Sequence, residues 1–222
     1  MPKINKDSTL NITFVGIGLC LLCSAIISFI AIQLRSVQEN NVVLDMQKKI
    51  VSSAGLDEVY GSVENAMSNI KTLIIDLDRG EIVDINPDTY ELSKELREDG
   101  KYKFLSAEED VASIKKREKY SKVYIEYKDN EINTLILPVR GYGLWGILYG
   151  YLAIEGDFNT VAGLEFYEHK ETPGLGAEID NPKWKALWKG KKIYQENGEV
   201  SLKVIKGSVM KNSDNFSYEI DG

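Results

Sequence analysis

From Leu10 to Leu34 the chain reads LNITFVGIGLCLLCSAIISFIAIQL, 25 residues without one charged side chain. As an α-helix this stretch rises about 37 Å at 1.5 Å per residue, more than the roughly 30 Å of a bilayer's hydrocarbon core. A helix also satisfies its own backbone groups where no water can. A cleaved signal peptide has an apolar stretch of only about 7 to 15 residues and ends in a small-x-small site. A lipoprotein signal would need small residues directly ahead of Cys20 or Cys23. Neither pattern is present, so 10–34 reads as one retained transmembrane helix tethering a folded domain. Lys3 and Lys6 precede it, and short cytoplasmic flanks are the basic ones. That places 1–9 in the cytoplasm and the domain on the outer face, although Asp7 and Arg35 weaken the asymmetry.

Within the anchor, Cys20-Leu-Leu-Cys23 has CxxC spacing, but no histidine or second cysteine pair completes a metal or redox site. The two cysteines read as small apolar residues. Gly16, Cys20, Ser24 and Ser28 recur every fourth position, which is either a ridge along which another helix can approach closely or ordinary scatter of small residues. The soluble part holds no cysteine, hence no disulfide and no thiol chemistry. With a net charge of -7 the chain lacks the basic footprint of a nucleic-acid binder.

Residues 35–55 continue as a polar helical stem carrying Val43, Met46, Gln47 and Ile50 on one side and stopping near Gly55. Strands are expected at Thr72–Asp76 and Glu81–Ile85, and a helix capped by Asp88 and running through Leu96. Ser106-Ala-Glu-Glu109 is a capping-box pattern that predicts a helix ending in the basic run Lys115–Lys119. Lys122–Tyr127 and Asn133–Leu137 form a hairpin about Asp129-Asn130. Ile147–Ile154 and Val161–Tyr167 are two long strands joined by Gly156-Asp157, the expected centre of the sheet. Pro182 opens a short helix, and Ser201–Ile205 is a late strand. Strands and helices that do not alternate regularly indicate an α+β fold. Residues 56–140 form the first part of the soluble domain, with room for an insertion, and 141–222 form its core.

The usual catalytic constellations are missing: the one histidine is His169, and there is no GxSxG, Walker or dinucleotide glycine fingerprint. No catalytic residue and no metal ligand is assigned. His169 alone is expected to be a hydrogen-bonded structural residue. The conspicuous segment is Glu168-His-Lys-Glu-Thr-Pro-Gly-Leu-Gly176, a turn between a strand and the Pro182 helix. Pro173 fixes one φ, while Gly174 and Gly176 allow positive φ and let a ligand approach the backbone. Taken by itself, it is a plain tight turn.

Tyr167-Glu-His-Lys-Glu-Thr-Pro-Gly-Leu-Gly176, with Gly143-Leu-Trp145 before it and Asn181-Pro-Lys-Trp184 and Trp188-Lys-Gly-Lys191 after it, closely resembles the C subunit of the Na+-translocating NADH:quinone reductase. The similarity runs along almost the whole chain. The G subunit of the Rnf-type electron-transport complex shares the ETPGLG turn and is the second reading. A non-redox, membrane-anchored binding or assembly module is the third. The first resemblance implies an FMN-binding domain on the outer side of a bacterial inner membrane, relaying electrons within a complex of other membrane subunits. It also implies a flavin transferase that attaches FMN through its phosphate to the threonine of a Ser-Gly-Ala-Thr motif, shortly after an Asp-Gly. The chain reads Asp221-Gly222 at its end, so the acceptor is expected just beyond. By resemblance, Glu171, Thr172, Gly174, Leu175 and Gly176 match the segment facing the isoalloxazine. Trp145 matches an aromatic near the ring, and Lys206 is a charge beside it that would favour reduced flavin. Trp145 as a core residue, and Leu175 as packing beneath the turn, are the structural alternatives.

Overall fold

The computed structural model describes residues 9–210 and 213–222. The flanking Lys3, Lys6 and Asp7, on which the expected orientation rests, lie outside them. The chain divides into two compact units, 1–45 and 46–222. The first is the greater part of helix α1 (Thr9–Ser53). Its apolar stretch is long and hydrophobic enough to cross a membrane, and none of that window is buried by protein. It is consistent with a single-pass anchor.

The second unit begins with the last turns of α1, where Ile50, Val51 and Ser53 become buried. Gly55, at φ +65°, supplies the left-handed residue that ends the helix. Two short helices follow, α2 (Leu56–Tyr60) and α3 (Val63–Ser68), the latter capped by Ser62 Oγ accepting from the Asn65 amide. Strands β1 (Ile70–Asp76) and β2 (Glu81–Val83) then form a hairpin. Buried Asp76 closes its turn by accepting from the amides of Asp78 and Arg79 at 2.9 and 3.2 Å.

The next segment departs from expectation. In place of one helix through Leu96 there is a 3-10 turn, Pro87–Thr89, capped by Asn86 and not Asp88, and then a single turn α4 (Leu92–Glu95). The capping box at Ser106 does form: the Ser106 amide donates to Glu109 Oε2 (3.1 Å) and the Glu109 amide to Ser106 Oγ (3.3 Å). No helix grows from it. The Asp110 carboxylate instead captures the amides of Ile114 (2.7 Å) and Lys115 (2.8 Å), and Ser113 and Lys115 take positive φ. The basic run is therefore strand β4 (Lys116–Glu118), paired with β3 (Tyr102–Phe104) and not a helix end. It is held by the Arg117–Asp78 ion pair and by Lys116 Nζ lying 3.7 Å from the Tyr102 ring centre.

Four long antiparallel strands complete the sheet: β5 (Tyr120–Lys128), β6 (Glu131–Tyr142), β7 (Ile147–Glu155) and β8 (Val161–Glu168). The order is β2-β1-β5-β6-β7-β8. Asp129 and Asn130, at φ +52° and +69°, make the expected β5–β6 turn. On one face Ile50, Val51, Leu56, Ala66, Ile70, Tyr124, Ile136, Tyr151 and Ala153 form the core beneath α2 and α3. The end of α1 sits so close to β8 that a side chain on Gly163 would overlap the Ser53 carbonyl. Buried Glu126 is fully satisfied, with Tyr60 Oη donating to Oε1 (2.8 Å) and Asn133 Nδ2 to Oε2 (2.6 Å). Beyond the sheet come α5 (Pro182–Lys185), capped by Asn181, and a parallel ladder of β9 (Lys203–Ile205) with β10 (Glu219–Asp221). Long strands with a few short helices make the soluble unit α+β, as expected.

Candidate functional site

Two loops meet at one end of the sheet. The β6–β7 connection is Gly143-Leu-Trp-Gly146, closed by the Gly143 amide donating to the Gly146 carbonyl at 2.7 Å. The second loop follows β8. The Thr172 carbonyl accepts from the amides of Leu175 (3.0 Å) and Ala177 (3.1 Å), which curls the chain into the 3-10 turn Gly176–Asp180. Gly174 has φ +75°, the left-handed geometry that the turn requires. Gly176 does not share it. Its need is closeness, because a side chain there would overlap the Glu171 carboxylate.

Glu171 joins the loops. Its Oε1 accepts from the Trp145 amide at 3.1 Å, and a Cβ on Gly143 would overlap the same oxygen. The backbone of Glu171 is fixed from behind, its amide donating to His169 Nδ1 (3.2 Å) while His169 Nε2 pairs with Asp180 Oδ2 (2.8 Å). An accepting Nδ1 leaves the ring proton on Nε2, aimed at the carboxylate. His169 is thus the hydrogen-bonded structural residue anticipated from its isolation in the sequence.

The pinned loops present apolar side chains to solvent. Leu144 is 77% exposed, Trp145 64% and Leu175 72%. Trp145 is accordingly not a core residue, and Leu175 does not pack beneath its turn. Exposed apolar groups gathered on adjacent loops mark a binding surface, and an indole beside a leucine suits the face of a planar aromatic ring. These residues fit an isoalloxazine. Sequence reasoning missed Leu144 and the two glycines flanking Glu171 as a unit; the repeated glycines of GYGLWG were the available signal.

Trp145, Glu171, Thr172, Gly174, Leu175 and Gly176 are therefore brought together. Lys206 follows β9 and precedes Gly207, whose carbonyl accepts from the Gly222 amide at 3.1 Å, and among the described residues no hydrogen bond joins it to the turn. The ladder is nevertheless tied to the segment after the turn, since Trp184 Nε1 donates to the Asp221 carbonyl at 2.8 Å. Next to that junction is a cavity of about 350 Å³ lined in part by Leu187, Lys189, Gly190, Phe216 and Asp221.

A cavity of about 380 Å³ lies elsewhere, among Tyr90, Tyr124, Arg140, Tyr149, Tyr151 and Tyr167, and includes none of the expected site residues. Burial raises the phenol pKa of Tyr90, Tyr124 and Tyr151, and pushes that of Tyr167 up to about 12. Among the described residues no cluster of three or more metal-ligating side chains occurs.

Comparison with known proteins follows the same lines. Residues 143–222 match the model of the FMN-binding domain family. The chain is 44% identical to the C subunit of the Na(+)-translocating NADH-quinone reductase of Pseudomonas aeruginosa, over 98% of this chain and 85% of that one. It is 40% identical to the same subunit of Vibrio anguillarum, over 98% and 84%. The crystal structure of Shewanella oneidensis NqrC superposes with a TM-score of 0.70 at 29% identity, covering 79% of this chain and 81% of that one. The counterpart from Parabacteroides distasonis gives 0.60 at 28%, covering 85% and 83%. With an FMN-binding domain, one apolar N-terminal helix and near full-length identity to these relatives, the chain belongs to the NqrC family, the C subunits of the Na+-translocating NADH-quinone reductases, and is part of an oxidoreductase complex.

Proposed function

We propose that this subunit relays electrons through an FMN held on the outer side of a bacterial inner membrane. The single observation that carries the reading is the pinned pair of loops, where exposed Leu144, Trp145 and Leu175 offer an apolar platform inside a segment that matches the FMN-binding domain family. When bound, FMN supplies a redox centre able to exchange electrons one or two at a time. The protein's part is binding and orientation. Trp145, Leu175 and the Thr172–Gly176 turn would hold the isoalloxazine, and the exposed apolar side chains of Trp145 and Leu175 would exclude water from it. Lys206 adds positive charge on the C-terminal side.

FMN is joined through its phosphate to a threonine following Asp221-Gly222. Support comes from the way Trp184 holds the Asp221 carbonyl against the helix that ends the site's own loop. Residues 141–222 act as the flavin-carrying core, and 56–140 as a domain part with an insertion at β3–β4. The partners are the other membrane subunits, which donate and accept the electrons, the flavin transferase that loads the site, and the lipid around α1.

Expression of the full-length gene with a flavin transferase, followed by a denaturing gel, tests this reading. A fluorescent band at the mass of this polypeptide is expected. A dark band, with Ser-Gly-Ala-Thr confirmed downstream in the gene, overturns it and favours a non-redox module.

A further inference from the structure

We propose that Glu171 is a positioning residue for the flavin: its carboxylate sets the spacing of Trp145 and Leu175 and does not itself meet the ring. The inference rests on the reading that these two side chains face the isoalloxazine. The carboxylate of half-buried Glu171 is approached by its own protein from two sides. Oε1 accepts from the Trp145 amide at 3.1 Å, and the Gly143 Cα lies so near that oxygen that a methyl there would overlap it. On the other side, a Cβ on Gly176 would overlap Oε2 at 2.5 Å and crowd the Glu171 Cβ at 3.0 Å. The side chain is therefore a wedge between two loops that never pair as strands.

Three further features suit such a wedge. Among the described residues Glu171 has no salt-bridge partner, so its attachment to the second loop is the hydrogen bond to a backbone amide. A charge-assisted bond of that kind is stronger than a neutral one. The Glu171 main chain is immobilised by the bond to His169, itself held by Asp180. A side chain held at both ends transmits position, where one free to swing would only add charge. Finally, both glycines are explained. Neither Gly143 nor Gly176 has the positive φ that would otherwise require glycine, and each makes room for this one carboxylate. The pattern Gly143…Glu171…Gly176 is a single device built from three positions.

Three variants of the full chain separate positioning from contact. Glu171→Gln keeps an acceptor oxygen without the charge. Glu171→Ala removes the acceptor. Gly176→Ala leaves Glu171 intact but displaces its carboxylate, since the nearest atoms a new methyl would meet belong to that flexible side chain. The first readout is hydrogen exchange of the Trp145 amide in flavin-free protein, which does not depend on the flavin reading. Exchange should rise more than tenfold in Glu171→Ala and Gly176→Ala, and by a smaller factor, about five- to tenfold, in Glu171→Gln, because a charged hydrogen bond is worth about 1.5–3 kcal/mol and the neutral one that the amide oxygen keeps roughly 0.5–1.5. The second readout is the fluorescence anisotropy of attached flavin, which should fall in the alanine variants and recover in Glu171→Gln. Unchanged Trp145 exchange in Glu171→Ala overturns the proposal. So does an anisotropy that falls in Glu171→Gln but is retained in Gly176→Ala, the pattern of direct charge contact. A parent protein with no attached flavin would refute the proposed function and with it the flavin role of Glu171, while the exchange result would still show whether the loops are stapled.

Discussion

Removing one charge from the Arg140–Glu118 pair should destabilise the soluble unit more than any comparable surface change. Arg140 Nη2 donates to Glu118 Oε2 at 2.7 Å and to the Lys116 carbonyl at 2.6 Å, and the two side chains are only 7% and 11% exposed. The pair joins β4 to β6, so it connects the β3–β4 hairpin to the main sheet. Breaking a buried pair typically costs about 3–5 kcal/mol, because the remaining charge is left without compensation. In Glu118→Gln the amide oxygen can still accept one bond, which places the expected loss near 3 kcal/mol. For a unit of this size each kcal/mol shifts the melting temperature by about 2–4 °C. Thermal unfolding of the full chain in detergent, followed by circular dichroism, should therefore show a drop of roughly 6–12 °C. A matched apolar pair, Glu118→Leu with Arg140→Met, should recover most of it, since replacing both charges removes the desolvation penalty as well. A drop below about 2 °C in Glu118→Gln, or a double variant no better than the single, would refute the reasoning.

Other consequences are equally direct. Gly163→Ala forces a methyl into the Ser53 carbonyl, backbone against backbone, and should cost about 1–3 kcal/mol by the same melt. Asn130→Val places a β-branched residue at φ +69° and should cost about 1–2 kcal/mol, whereas Asn130→Gly should cost nothing or stabilise. Tyr167 has its folded pKa raised to about 12, above the ordinary value of 10, so its contribution to stability is complete below pH 10 and is lost as pH rises towards 12. Denaturant midpoints should fall across that window, and Tyr167→Phe should flatten the fall. Ser24→Leu with Ser28→Leu should leave membrane insertion intact but weaken co-purification of the other subunits, if the ridge Gly16, Cys20, Ser24, Ser28 is a docking face. Unchanged co-purification would make the helix a tether alone.

What the sequence disclosed and what it hid divide along a physical line. The anchor, the β5–β6 hairpin and the long strands β7 and β8 were legible because each follows from local pattern: length without charge, paired turn residues, sustained apolar character. The segment from Asn86 to Glu118 was misread because its signals are local but their outcome is decided by competition. Ser106 and Glu109 make the bonds of a capping box, yet Asp110 takes the next free amides and Arg117 finds Asp78 across the fold, so a strand forms where a helix was signalled. The late strand was shorter than expected, and its parallel partner at Glu219–Asp221 lies too far along the chain to show as a pattern.

The site divides in the same way. ETPGLG announced a special turn, and the resemblance supplied its chemistry. That Glu171 reaches back to the Trp145 amide could not be read, because nothing in the sequence relates positions 143 and 176 to the carboxylate between them. Lys206 joins the turn by resemblance alone, since no pattern in the sequence relates a residue after the late strand to ETPGLG.

The most direct test of the central claim is the intact mass of the denatured, purified full-length protein after expression with a flavin transferase. One FMN less one water above the mass of the polypeptide, lost when the threonine of a Ser-Gly-Ala-Thr motif encoded by the full-length gene is replaced by alanine, is the predicted result. A protein of unmodified mass that still assembles into an active complex would contradict it.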